Sequence, residues 1–180
     1  RGQETQALGR SRGGFTTKIH AKSDASGDII AFDLTGGETA DAPHFETLLD
    51  IGPDIRPRAA ICDKGYASKA NRAAARARGI APVIPHKSNE KDKPKFFAKT
   101  LYKARARIEQ GFGRLKRFMR VALRCEKTAR NFRSIVSFAA AQIGSGGSVR
   151  VGASGTKPGC PAFPRTSLNT WLTCVMTSGR

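Results

Sequence analysis

The stretch Arg58 to Pro85, RAAICDKGYASKANRAAARARGIAPVIP, decides the fold class. Arg58 to Cys62 is a short apolar run that reads as a strand and leads directly into Asp63. Ser68 has the side chain of an N-cap, an alanine-rich helix follows to Arg78, and Gly79 supplies its stop. Ala81 to Ile84 is the next strand, closed by Pro85. Strand, helix and strand in that order predict a right-handed crossover between parallel strands, hence an α/β protein.

Upstream, Phe15 to Ser23 and Ile29 to Leu34 read as strands on either side of a turn at Asp24–Asp28, where Gly27 can adopt positive φ. The spacing predicts a hairpin over 15–34. Residues 1–14 are polar and glycine-rich and are expected to be irregular. Ala42 to Asp50 reads as a short helix with Pro43 in its first turn, and Pro53 and Pro57 mark a loop.

Downstream, 86–95 is a lysine-rich loop, and Phe96 to Met119 reads as one long basic helix. Gly111 and Gly113 weaken that helix by roughly 1 kcal/mol each against alanine, and close helix packing is the one use the sequence suggests for them. Thr128 caps a last helix to Ile143, in which Ile135, Phe138, Ala139 and Gln142 follow the 3–4 period. Beyond Ile143 the composition changes: 144–180 holds no acid and is dominated by Gly, Ser, Thr and Pro, with one short apolar stretch around Trp171 to Met176. Such a segment buries too little to offset chain entropy, so disorder is expected there.

The chain has 180 residues, enough for one domain with a core, and a net charge of +18 with a pI near 10.7. That charge favours a polyanionic partner, since lysine and arginine on phosphates release condensed counterions. It does not by itself separate DNA from RNA or an anionic membrane. Cys62, Cys125, Cys160 and Cys174 show no CxxC spacing, which argues against a zinc site. No signal peptide opens the chain and no apolar run approaches the roughly 20 residues that span a bilayer, so a cytoplasmic protein with reduced thiols is expected. His20, His44 and His86 lie in a strand, near a helix start and in a loop, without a ligand-like grouping. Gly9 to Gly14 is neither a dinucleotide fingerprint nor a P-loop, because it precedes a strand.

One helical run carries more chemistry. In Leu101 to Lys116, Tyr102, Arg105, Glu109 and Lys116 fall within an arc of roughly 60° at 100° per residue. A lone acid between bases is ordinarily a solvated ion pair. The full spacing, Tyr-x2-Arg-x3-Glu-x6-Lys, is more specific: it resembles the signature around the last catalytic acid of IS5-type (IS4/IS5 group) DDE transposases. Ala7 to Gly14, followed by Thr16 to His20, resembles the segment before the family's first hairpin, and Ile61-Cys-Asp63-Lys-Gly-Tyr66 its second catalytic aspartate at a strand end. Gly79 to Pro85 and Glu126 to Phe132 are similar as well, so the likeness runs from about Gln3 to Ile143 in the family's order.

The resemblance implies a ribonuclease H-like fold, a mixed sheet with flanking helices, with residues 1–143 forming part of a DDE catalytic domain. It implies Asp63 and Glu109 as catalytic, metal-holding acids, with Mg²⁺ (or Mn²⁺) ions assisting in-line displacement at phosphorus. Arg105 and Lys116 would touch DNA phosphates, and Tyr102 would pack against them or stack on DNA. Arg114, Arg117 and Arg120 continue into a basic belt with Arg124, Lys127, Arg130 and Arg133, read as a phosphate-binding face. The partners implied are insertion-sequence terminal inverted repeats and target DNA, with a possible homo-oligomer and a nucleoid-associated location.

The family's first acid lies on a first strand ahead of the Gly-Arg-Ser-Arg-Gly-Gly segment, and that strand is expected to be missing here. Asp24, Asp28 and Asp33 do not match its position, and Asp33 is the least implausible substitute on register. The missing strand would leave the hairpin with an unpaired edge. The tail over 144–180 does not resemble the family and is read as non-native, translated in a shifted frame. The expected function is therefore a transposase fragment, inactive alone. A non-catalytic DNA-binding relic is the first alternative. A basic RNA-binding protein is the second, although no RNP aromatics, KH loop or zinc knuckle supports it.

Overall fold

The structure is a computed structural model that describes residues 6–11, 14–54, 56–90, 93, 96–144 and the backbone of 171–178. Its elements are β1 (Gly9–Ser11), β2 (Gly14–Ser23), β3 (Ile29–Gly36), α1 (Phe45–Asp50), β4 (Ala59–Cys62), α2 (Lys69–Ala77), β5 (Ala81–Val83), α3 (Lys99–Tyr102), α4 (Arg105–Leu115), α5 (Met119–Ala122), α6 (Ala129–Gly144) and β6 (Trp171–Ser178). The sheet runs β1-β2-β6-β4-β5, with β3 also paired to β2. Pairing is antiparallel among β1, β2, β3 and β6 and parallel among β6, β4 and β5. The α/β class and the mixed sheet with flanking helices are as the sequence predicts.

The period-2 alternation of the strands sorts the helices onto the two faces. On β4, Ala59 and Ile61 pack with Phe97, Leu101 and Tyr102, while Ala60 and Cys62 pack with Phe45, Leu48 and Ala75 of α1 and α2. On β2, Ile19 and Ala21 face a core built from Ile108, Phe112 and Leu115 of α4 and Phe132, Val136 and Ala139 of α6. The residues between them turn the other way. Lys22, only 2% exposed, reaches the carbonyls of Leu49 and Ile51 at 3.2 and 3.0 Å, where the C-terminus of α1 favours a cation.

The hairpin closes at Asp24–Asp28 with Gly27 at φ 90°, and Asp24 Oδ1 accepts from the Ser26 and Asp28 amides. Ser68 caps α2 by accepting from Ala70 N, and Gly79 follows α2 at φ 72°. Thr128 Oγ1 accepts from Asn131 N at the start of α6. These are the caps and turns the sequence marks.

Four expectations are corrected. The segment 1–14 is not wholly irregular, since β1 pairs with β2 around Gly14 at φ 105°. The helix expected over 96–119 is two helices, α3 and α4, with α5 beginning only at its last residue. At Lys103–Ala104 the hydrogen bonds tighten to i−3, from Ala104 N to Leu101 O and from Ala106 N to Lys103 O. At the other end Phe118, at ψ 104°, leaves helical conformation. The tail is not disordered throughout: the apolar stretch 171–178 forms β6, while 145–170 and 179–180, including Cys160, lie outside the described residues. With β6 between β2 and β4, the edge of β2 expected to stand open is paired from Lys18 to Ser23.

Candidate active site

Asp63 is the first residue beyond the C-terminal end of β4. Its backbone is extended (φ −66°, ψ 161°) and its carbonyl accepts from Tyr66 N, so the chain turns through Lys64–Tyr66 without using the carboxylate as a cap. The side chain is left at the sheet's carboxyl end, where open α/β sheets bind ligands. Tyr66, fully buried, anchors this turn: its hydroxyl lies 2.8 Å from His20 Nδ1 on β2, and His20 Nε2 lies 2.8 Å from Thr35 Oγ1 on β3.

The partners of Asp63 come from α3 and α4. α3 is laid against β4 and β5 by Phe97, Leu101 and Tyr102, and α4 against the hairpin by Ile108 and Phe112. Arg105 Nη2 stands 3.5 Å from Asp63 Oδ2 and 2.9 Å from Glu109 Oε1, one turn along α4. Arg105 Nη1 donates to the Tyr102 hydroxyl at 3.2 Å. The i−3 turn between α3 and α4 keeps Tyr102 beside Arg105 although the helix is broken between them. Burial works against the Arg105 charge, but the bond to Tyr102 and the charges of Asp63 and Glu109 outweigh it, and its pKa is raised. Arg105 therefore stays protonated, with two carboxylates gathered on one nitrogen.

The structure thus brings together Asp63, Tyr102, Arg105 and Glu109, four of the residues singled out in the sequence. Lys116 is not with them. It is the residue after α4 and lines a cavity of about 320 Å³ with Phe15, Val121 and Leu123. The basic belt divides. Arg114 pairs with Asp28 at 3.4 Å, Arg120 with Glu126, and Arg133 with Asp33 at 2.9 Å. Arg124 donates to the carbonyls of Ala7 and Gln6 and lies over the Phe132 ring. Lys116, Arg117, Lys127 and Arg130 are exposed.

Carboxylate oxygens are the donors that a hard divalent ion takes, and Asp63 and Glu109 both lie against Arg105. Among the described residues no group of three or more His, Cys, Asp or Glu is close enough to share an ion. Asp24 is spent on the hairpin turn, Asp28 on Arg114 and Asp33 on Arg133, so none of the three acids considered for the first position joins Asp63 and Glu109.

Residues 2–142 match the family described as Transposase DDE domain. The chain belongs to that family. It is 34% identical over 122 residues to a Burkholderia cepacia protein provisionally described as the transposase for insertion sequence element IS402, covering 63% of this chain and 55% of that one. It is 36% identical over 140 residues to a Brucella ovis protein provisionally described as the transposase for insertion sequence element IS6501, covering 72% of this chain and 98% of the relative. The chain thus spans about half the length of the IS402 relative and nearly all of the IS6501 one. No solved structure matches it. Membership of the Transposase DDE domain family bears out the DDE-family resemblance read from the sequence. No helix among the described residues is long and apolar enough to cross a membrane.

Sequence reasoning missed the His20–Tyr66–Thr35 network. His20 read as bland because its partners are distant in sequence. The alternation of Phe15 to Ser23, which aims His20 and Lys22 to the face opposite Ile19 and Ala21, was the available signal. Arg72 was missed too: it is buried, pairs with Glu90 at 3.0 Å and donates to the Pro85 carbonyl, tying the loop after β5 to α2.

Proposed function

We propose that this chain carries part of the phosphoryl-transfer site of an IS5-type DDE transposase, with a ribonuclease H-like arrangement of the sheet. The reading is supported above all by the convergence of Asp63 and Glu109 on Arg105 at the carboxyl end of β4. In it, Asp63 and Glu109 hold Mg²⁺ (or Mn²⁺), which supplies Lewis-acid assistance to in-line displacement at a DNA phosphate. Arg105 presents a planar fork to a phosphate near the cut, Tyr102 orients that fork, and exposed Lys116 and Arg117 follow the backbone. Arg114 and Arg120 contribute once drawn from Asp28 and Glu126. The substrate is the DNA of insertion-sequence ends. With two acids at the site, the chain alone binds DNA and a metal ion but does not complete strand transfer.

The test is an anisotropy titration of the full chain against a labelled duplex bearing the terminal inverted repeat that flanks its gene. The expected result is salt-dependent binding that tightens with Mn²⁺. Asp63→Ala and Glu109→Ala should lose the Mn²⁺ gain and keep the salt-dependent part. Preference for structured RNA over the duplex at matched salt would contradict the reading. The grouping of two acids, and no third among the described residues, favours one second reading, a non-catalytic DNA-binding protein. In that case Mn²⁺ has no effect on wild type and both alanine variants bind as well or better.

A further inference from the structure

Arg105 occupies the interval between the two carboxylates. Its Nη2 serves both Asp63 and Glu109, and its Nη1 serves the Tyr102 phenol. Its Nε is buried with no hydrogen-bond partner. The guanidinium carbon stands 5.9 Å from the Tyr102 ring centroid. A guanidinium does not step aside by losing its proton, so it leaves the interval only by moving. A divalent ion bound to the same oxygens would face a like charge at contact distance, and the two exclude each other.

Arg105 is held loosely enough to move. Its contact to Asp63 is long, and its contact to Glu109 is an i, i+4 pair on a half-exposed acid, a kind of pair that contributes little. An orphaned Nε gains a partner wherever a multidentate acceptor such as phosphate is offered.

We propose that Arg105 is an exchangeable internal counter-cation. It pairs with both Asp63 and Glu109, must vacate them before they take a divalent ion, and is then received by a phosphate of the DNA. Ion and DNA therefore load cooperatively. The proposal rests on the reading of Asp63 and Glu109 as a metal pair.

The test is Mn²⁺ binding, followed by the paramagnetic resonance of the free ion, for wild type, Arg105→Gln and Arg105→Lys as full chains, with and without a short DNA duplex. Without DNA, Arg105→Gln should bind Mn²⁺ more tightly than wild type, by roughly fivefold or more, the low end of site–site coupling. Duplex DNA should tighten Mn²⁺ binding by wild type and leave Arg105→Gln unchanged. Arg105→Lys, which keeps the charge but not the fork, should fall between them. If Arg105→Gln does not fold, a tighter Arg105→Lys supports the proposal and an equal or weaker one overturns it. Mn²⁺ binding that Asp63→Asn abolishes but Arg105→Gln leaves equal or weaker overturns the counter-cation role and keeps the metal pair. No Mn²⁺ binding by any form overturns both.

Discussion

Gly27 in the hairpin turn and Gly111 in α4 meet backbone to backbone. A Cβ on residue 111 would lie 2.5 Å from the Gly27 carbonyl oxygen, and one on residue 27 would lie 2.6 Å from the Arg107 carbonyl oxygen. This contact seats α4, with Arg105 and Glu109, against the hairpin. Gly113, two residues on, has nothing within 4 Å of its Cβ position. Alanine at the two glycines should therefore act with opposite sign. Gly111→Ala should destabilise by about 1–3 kcal/mol, because the obstacle is backbone and cannot yield. Gly113→Ala should stabilise by roughly 0.5–1 kcal/mol through helix propensity alone. Urea denaturation of both variants checks this, and shifts of the same sign would contradict the close approach.

The His20 network sets a pH dependence. Burial, helped by the neighbouring charge of His44 and only partly opposed by Asp33, lowers the His20 pKa from 6.5 to about 4. The unfolded chain therefore takes up a proton on His20 at a higher pH than the folded one. The stability tied to neutral His20 is complete above pH 6.5 and is lost as the pH falls toward about 4. The loss should be on the order of 2–3 kcal/mol across that window. Denaturation at pH 7 and pH 4.5 should show it in wild type and show less in His20→Gln. Equal losses in both would place the effect elsewhere.

The seating of β6 between β2 and β4 gives another prediction. Thr173 is in register with Ser23 on one side and Ile61 on the other. Thr173→Pro removes a ladder donor in a strand paired on both edges, which should cost about 3 kcal/mol or more. Amide exchange of 18–23 and 59–62 should accelerate, and the bared edges should promote association. Unchanged exchange at both strands would show that β6 does not complete the sheet.

The division of the basic belt separates binding from stability. Lys116→Ala and Arg117→Ala should each lower the slope of log K against log salt for duplex DNA by about 1 and leave thermal stability alone. Arg124→Ala should lower the melting temperature instead, because Arg124 holds the carbonyls of Gln6 and Ala7 and covers Phe132. A slope unchanged by both Lys116→Ala and Arg117→Ala would remove this face from DNA binding.

The legible parts of this fold are those encoded locally. The hairpin, the crossover, the Ser68 and Thr128 caps and the exit of β4 into Asp63 all follow from neighbouring residues. The grouping of Tyr102, Arg105 and Glu109 was legible because helical periodicity survives a single tight turn. Lys116 keeps the helical register, its N–H bonded to the Phe112 carbonyl, but stands about two turns beyond Glu109 along the helix axis. The breaks that divide the 96–119 helix, the partners of Arg114 and Arg124, and the buried role of His20 depend on contacts between distant segments. The use of Gly111 became readable only once Gly27 was placed beside it. The pairing of 171–178 is of the same kind: its apolar run is visible in the sequence, its neighbours are not.

The most direct measurement of the central claim is a Mn²⁺ titration of the full chain carrying Asp63→Asn, Glu109→Gln and the two together. If the carboxylates hold one ion jointly, each single substitution should remove most of the binding and the double should be scarcely worse than either. Binding unaffected by either substitution, or lost in two independent and additive steps, would contradict a shared site.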